Sequence, residues 1–254
     1  SASGFLVNYA AMIRRVLPLT LALCALSVAA FAQKPARDAS AAIPKESRTF
    51  MQKHESFLAR AKAGPVGLLF LGDSITEGWK NASDVWEKHY GAYQPANFGI
   101  GGDQTQNVIW RIENGELDGI SPRAVVLMIG TNNSGNYSAS EIVAAIRKIV
   151  GLIRTKLPES RVLLLAIFPR GPRTNRDGTK DPWERRMEVI RAVNAELPSL
   201  ADGKHVHFLD IGHHFLDADG NIPKSIMHDQ LHLTPEGYRI WAEAMQPKLD
   251  ELLK

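Results

Sequence analysis

The sequence predicts a three-layer α/β domain: a parallel sheet of about five strands with helices on both faces. Three observations lead there. Short apolar runs recur without alternation, helical patterns fall between them, and polar, glycine-containing turns follow the runs directly. Residues 66–71 (VGLLFL), 124–129 (AVVLMI) and 161–168 (RVLLLAIF) are the strong runs, each the mark of a strand covered on both faces. Residues 96–98 and 206–209 are weaker strand candidates. Helical spacing predicts helices over 46–63, 104–112, 140–157, 183–197 and 234–252. Gly64-Pro65, Pro158 and Pro198 end three of them, and Thr234 is placed to cap the last, with Pro235 in its first turn. Right-handed crossovers then wrap the sheet, and ligands in such sheets bind at the carboxyl ends of the strands.

Composition bounds the function. Of 254 residues, 44% are apolar and 22% charged, which excludes a disordered or collagen-like chain and a multi-span membrane protein. The net charge is +3, from 30 basic and 27 acidic residues. Two of the basic residues, Arg14 and Arg15, lie in the first 32 positions, where there are no acids. No basic stripe of the kind nucleic-acid binders carry remains, so no nucleic-acid partner is expected.

Residues 12–32 read as a secretory signal peptide. Arg14 and Arg15 precede an uncharged apolar run that closes on Ala30-Phe31-Ala32. The run is short for a membrane span, so no stable membrane anchor is expected after cleavage. Leu23 before Cys24 argues against a lipoprotein signal. Residues 1–11 precede the expected start at Met12 and are set aside, and 33–45 read as a polar linker before a domain over 46–254. The expected location is secreted or periplasmic. Cys24 is the only cysteine, so the mature chain has no disulfide and no thiol nucleophile.

The turns after the strands carry the chemistry. Gly72-Asp73-Ser74 follows the first run, Gly99-Ile100-Gly101-Gly102-Asp103 the second and Gly130-Thr131-Asn132-Asn133 the third, while Asp229-Gln230-Leu231-His232 precedes the last helix. Ser74 at a strand-to-helix turn is either a helix cap or a nucleophile, and as a nucleophile it needs a base. His232 is the candidate base. Asp229, three residues before it, would share a face with it on a helical turn and orient its ring. The backbone N–H groups of Gly102 and Ser74 and the Asn132 amide are candidate oxyanion donors. Taken singly, each is equally well a turn residue.

This set resembles the SGNH subgroup of the GDSL hydrolases, named for a serine, a glycine, an asparagine and a histidine, here Ser74, Gly102, Asn132 and His232. Within it the chain is most like the catalytic subunits of intracellular platelet-activating-factor acetylhydrolases. The likeness rests on residues 97–103 (NFGIGGD), 114–117 (NGEL), 130–133 (GTNN), 169–171 (PRG) and 231–234 (LHLT). The resemblance implies a flavodoxin-like sheet and a Ser74–His232–Asp229 triad. It also implies an oxyanion hole of Ser74, Gly102 and Asn132, and no cofactor. The chain departs from that group in its leader and in a polar stretch over 172–183. The expected activity is removal of a short acyl group, acetyl foremost, from a carbohydrate ester, with phospholipids or thioesters as alternatives. A homodimer is one arrangement open to it. Asp73, Ile75 and Leu231 are candidate substrate contacts beside nucleophile and base, Ile75 and Leu231 equally being core residues. Trp79, Trp86 and Trp183 are candidate sugar platforms, though more ordinarily core.

Rival chemistries are weaker. Residues 99–104 fail GxGxxG at Gln104, and neither GxxxxGK[ST] nor GxSxG occurs. His205, His207, His213, His214, His228 and His232 cluster near the C-terminus, but without thiolates or HExxH they make a poor zinc set, and no metal is expected. A non-catalytic binding protein would be expected to have lost a member of the set, and none is lost.

Overall fold

The computed structural model describes residues 38–254 apart from Arg176; the expected leader, with Cys24, lies outside the described residues. Five parallel strands form one sheet: β1 (Leu68–Gly72), β2 (Pro95–Gly99), β3 (Ala124–Met128), β4 (Arg161–Leu165) and β5 (Val206–Leu209). Their order is β2-β1-β3-β4-β5. The chain steps outward from β1 to β2 and then back across to β3. The direction of winding therefore reverses between β1 and β3, and a crevice opens where their carboxyl ends part.

Among the described residues, seven α-helices accompany the sheet: α1 (Arg48–Lys62), α2 (Ser74–Glu77), α3 (Ser83–Tyr90), α4 (Thr105–Glu113), α5 (Ala139–Lys156), α6 (Trp183–Glu196) and α7 (Pro235–Leu252). Alternation along the buried strands sorts the core into two layers. Leu69, Leu71, Val125, Leu127, Val162 and Leu164 face one layer, with Ile109 of α4, Ile146 of α5 and Val193 of α6. Leu68, Phe70, Val126, Met128, Leu163 and Leu165 face the other, with Ile75 of α2, Tyr90 of α3 and Trp241 of α7. Truncating one such leucine to alanine would cost about 2–5 kcal/mol.

The helix starts follow from local chemistry. Ser138 Oγ accepts from Glu141 N–H and Glu141 Oε2 accepts from Ser138 N–H, a reciprocal cap on α5. Thr234 Oγ1 accepts from Gly237 N–H at the start of α7, with Pro235 preset for the first turn.

Two features depart from the sequence expectation. The short helix α3 was not foreseen. Its Trp86 and Tyr90 join Phe70, Trp79, Tyr238 and Trp241 in an aromatic cluster, and eight residues alone give little periodicity to read. Second, from Asp38 the stretch read as a linker is packed on the domain. Ala39 is buried, its carbonyl accepts from Thr105 Oγ1 at 2.8 Å, and Ile43 O accepts from Asn107 Nδ2 at 2.9 Å.

Candidate active site

Ser74 is the first residue of α2, immediately past the carboxyl end of β1. Asp73 caps that helix, its Oδ1 accepting from Ile75 N–H at 2.9 Å. Ser74 Oγ lies 2.9 Å from His232 Nε2, and His232 Nδ1 lies 2.8 Å from Asp229 Oδ2. A carboxylate only accepts, so the proton of the neutral ring sits on Nδ1 and the lone pair of Nε2 faces the Ser74 hydroxyl. Three side chains from the two ends of the domain thus form one hydrogen-bonded chain.

The Asp229–His232 pairing has a different local cause from the one expected. The residues form a tight turn before α7 rather than a helical face. Asp229 Oδ1 accepts from the backbone N–H groups of Leu231 and His232, at 3.1 and 2.7 Å, while Gln230 takes a left-handed φ of 64°. Partial burial alone would raise the Asp229 carboxyl. Hydrogen bonds from the His232 ring and backbone outweigh that, and with the charge of Arg173 they hold it well below the usual carboxylate range.

Beside Ser74 runs the loop after β2. Gly102 has φ of +73°, a conformation that glycine adopts without the clash a Cβ would bring. A Cβ on Gly101 would lie 3.9 Å from that of Ser74, which places this loop against the serine. Asn132, from the turn after β3, donates its side-chain amide to Asp103 O at 2.9 Å and its carbonyl accepts from Gln104 Nε2 at 3.0 Å. One of its two amide protons is committed to the loop, and the amide has a second. Ser74, Gly102, Asn132, Asp229 and His232 are therefore gathered on one rim, from four separate turns.

The other sequence candidates lie elsewhere. Asp73 is fully buried, Ile75 is 1% exposed and Leu231 5%, and the two apolar side chains pack in one core layer. They are buried in the core layer that α7 also packs into, which leaves little of either side chain for a substrate to touch. Burial raises the Asp73 carboxyl to about 7, with the Ile75 N–H as partial relief. Trp79 is buried in the aromatic cluster beside Trp86 and so offers no sugar platform. Trp183 is half-buried and lines a cavity of about 390 Å³ with Arg170, Arg191, Asn221 and Gln230. Among the described residues, no group of three or more His, Cys, Asp or Glu side chains is arranged to hold a metal ion.

Sequence reasoning missed four groups around the site. Glu77 Oε2 accepts from Gly101 N–H at 2.7 Å, and two lysines, Lys53 and Lys80, bind its other oxygen. Those bonds overcome burial and bring the Glu77 carboxyl down to about 2. Arg111, fully buried, bridges Asp103 behind the loop to Glu116. Arg173, from the polar stretch 172–183, reaches Asp229 Oδ2 at 3.1 Å. That stretch folds back through a Thr174–Lys180 bridge and the Arg170–Asp181 ion pair. Lys45 approaches the Gly102 loop from the N-terminal side. Only the unusual polarity of 172–183 was a signal; Glu77 and Arg111 sit on the helices after their turns without a pattern that marks them, and Lys45 comes from 56 residues before Gly101.

Comparison with known proteins places this geometry. The family model of GDSL-like lipases and acylhydrolases matches residues 70–240. The platelet-activating factor acetylhydrolase IB subunit alpha1 of Bos taurus is 37% identical over 204 residues, which is 80% of this chain and 84% of that protein. The alpha2 subunit of Rattus norvegicus is 35% identical over 205 residues, 81% of this chain and 85% of its own. A GDSL-like lipase from Bacteroides thetaiotaomicron shares the fold, with a TM-score of 0.62 over 78% of this chain and 97% of its own at 19% identity. On the family match and these relatives, the chain belongs to the GDSL-like lipase/acylhydrolase family and is a carboxylic ester hydrolase.

Proposed function

We propose that this chain is a serine acetylesterase in which Ser74 is the nucleophile, His232 the general base and Asp229 its orienting partner. The observation that carries this reading is the continuous hydrogen-bonded chain from Asp229 Oδ2 through the His232 ring to Ser74 Oγ. His232 Nε2 takes the hydroxyl proton as Ser74 Oγ bonds to the ester carbonyl carbon. The carbonyl oxygen becomes an oxyanion, received by the N–H groups of Gly102 and Ser74 and the second amide proton of Asn132. Collapse breaks the bond to the alcohol, which leaves with the proton from His232. Water then attacks the acyl-enzyme with the same base, and carboxylic acid and free Ser74 are restored.

The acyl group is read as acetyl because the relatives at 37% and 35% identity are acetylhydrolases by name. For the alcohol half, a carbohydrate is favoured by Trp183, half-buried in a cavity that it lines with Asn221 and with Gln230, the residue after Asp229. The same relatives' name favours a second reading, an acetylated phospholipid. The Arg14-Arg15 start, the apolar run and the Ala30-Phe31-Ala32 close support export of the domain.

Hydrolysis of p-nitrophenyl acetate, butyrate and decanoate by wild type and Ser74→Ala tests the chemistry. Acetate-selective turnover lost in the variant is expected; equal rates on acetate and decanoate would remove the short-acyl reading. Acetate release from acetylated xylan, set against release from an acetylated ether phospholipid, separates the two alcohols.

A further inference from the structure

Lys45 lies outside the matched residues 70–240, in the strap that crosses the domain before α1. Its ammonium donates to Gly101 O at 2.7 Å and pairs with Asp103 Oδ1 at 2.7 Å. The Gly101 carbonyl and the Gly102 N–H belong to one peptide group. In a trans peptide they point in opposite directions, and the described chain has no cis peptide. Whatever grips the carbonyl therefore aims the N–H. Gly101 is held from its other side as well, its own N–H donating to Glu77 Oε2 at 2.7 Å.

The strap is itself anchored, so the grip is not that of a free side chain. Ala39 O and Ile43 O accept from Thr105 and Asn107, Ile43 N–H donates to Gln106 O, and Ser40 O accepts from Lys148. A cation on a peptide carbonyl also draws density through the amide and strengthens its N–H as a donor. Its charge stands close by: Lys45 Nζ is 3.6 Å from where a Cβ on Gly102 would sit.

We propose that Lys45 is a positioning residue for the oxyanion hole, setting the direction and donor strength of the Gly102 N–H through the peptide group they share. The inference rests on the reading of Ser74 and Gly102 given above. It predicts an effect on the tetrahedral state and little on the ground state, because the oxyanion forms only after attack.

The test compares wild type with Lys45→Met, Lys45→Arg and Ser74→Ala on p-nitrophenyl acetate. It also measures inhibition by a methyl trifluoromethyl ketone, which adds to an active serine and forms the oxyanion. Lys45→Met is expected to lower kcat roughly 10- to 100-fold with KM changed less than about threefold. The ketone's inhibition constant should weaken by a matching factor, and Lys45→Arg should recover most of both. Should Lys45→Met fail to fold, Lys45→Gln, one bond shorter and uncharged, carries the same expectation. Unchanged kcat and ketone inhibition in a folded variant, whatever its melting temperature, would overturn the proposal, as would a kcat loss without loss of ketone affinity. Full turnover by Ser74→Ala would instead remove the reading of the site on which it rests.

Discussion

Asp103 and Arg111, behind the donor loop, expose none of their side chains, whereas His232 and Asp229 keep 35% and 27% of theirs exposed. The donor side is tied mostly by bonds between distant parts of the chain, Lys45 to Gly101, Glu77 to Gly101 and Asn132 to Asp103, with Arg111 on Asp103 from the helix that follows the loop. The acid–base side is tied mostly within four residues, by Asp229 to the backbone and ring of His232, with Arg173 as its outside contact. The difference suits the roles proposed for each. Oxyanion donors act by being in place before charge develops, so they gain from a rigid, cross-linked mount. A base needs a partner that fixes its tautomer and access to the protons it passes on, which a local turn at the rim provides.

The largest expected effect lies where the two sides meet. Ser74→Ala and His232→Ala should each lower kcat by roughly 10⁴–10⁶-fold with little change in melting temperature, read by ester hydrolysis and thermal unfolding. A residual rate in His232→Ala near wild type would break the division of labour altogether.

Next comes Asn132→Ala, which removes both a donor and a tie to Asp103 O. A kcat loss of about 10²–10³-fold is expected, with melting lowered as well because the loop loses a cross-link. A loss in kcat with wild-type melting would mean that the donor side is less cross-linked than its bonds suggest.

Arg173→Ala sharpens the contrast. Asp229 keeps its two backbone bonds and its ring bond without the arginine, so activity should fall by less than about tenfold. A partly exposed ion pair is screened by salt, so the gap between wild type and variant should narrow as salt is raised. A gap independent of salt would show that Arg173 acts by packing and not by charge.

The smallest effect on activity, and a distinct one on stability, belongs to Asp73. Its folded carboxyl titrates at about 7 against an ordinary 3.8, because burial disfavours the charged form. The folded state therefore holds a proton that the unfolded chain releases between those values. The Asp73 contribution to stability is full below about pH 4 and declines as pH rises toward 7, by on the order of 4 kcal/mol over the window. Asp73→Asn keeps the acceptor for Ile75 N–H and lacks the titration, so its melting temperature should be flatter than wild type from pH 4 to 7. Parallel curves would show that Asp73 is not the group titrating.

The same contrast explains what could be read in advance. The strands were legible because a doubly covered strand is apolar throughout, as in Leu68 to Leu71. The placing of Ser74, Gly102, Asn132 and His232 at one end of the sheet was legible because each follows a strand or precedes a helix there. The supports of the donor loop were not. Lys45 and Gly101 are 56 residues apart, and no local pattern links an isolated lysine to a carbonyl that far along the chain. Ile75 and Leu231 misled for the opposite reason: adjacency in sequence to Ser74 and His232 says nothing about which way a side chain points across a tight turn.

The central claim is that Ser74 is the nucleophile and that His232 and Asp229 make it one. Its most direct test is mass-spectrometric mapping of the adduct left by a fluorophosphonate on wild type, His232→Ala and Asp229→Asn. The account predicts stoichiometric labelling of the Ser74 peptide in wild type, with labelling slowed by orders of magnitude in both variants. Labelling at another residue, or unchanged labelling of Ser74 without His232, would contradict it.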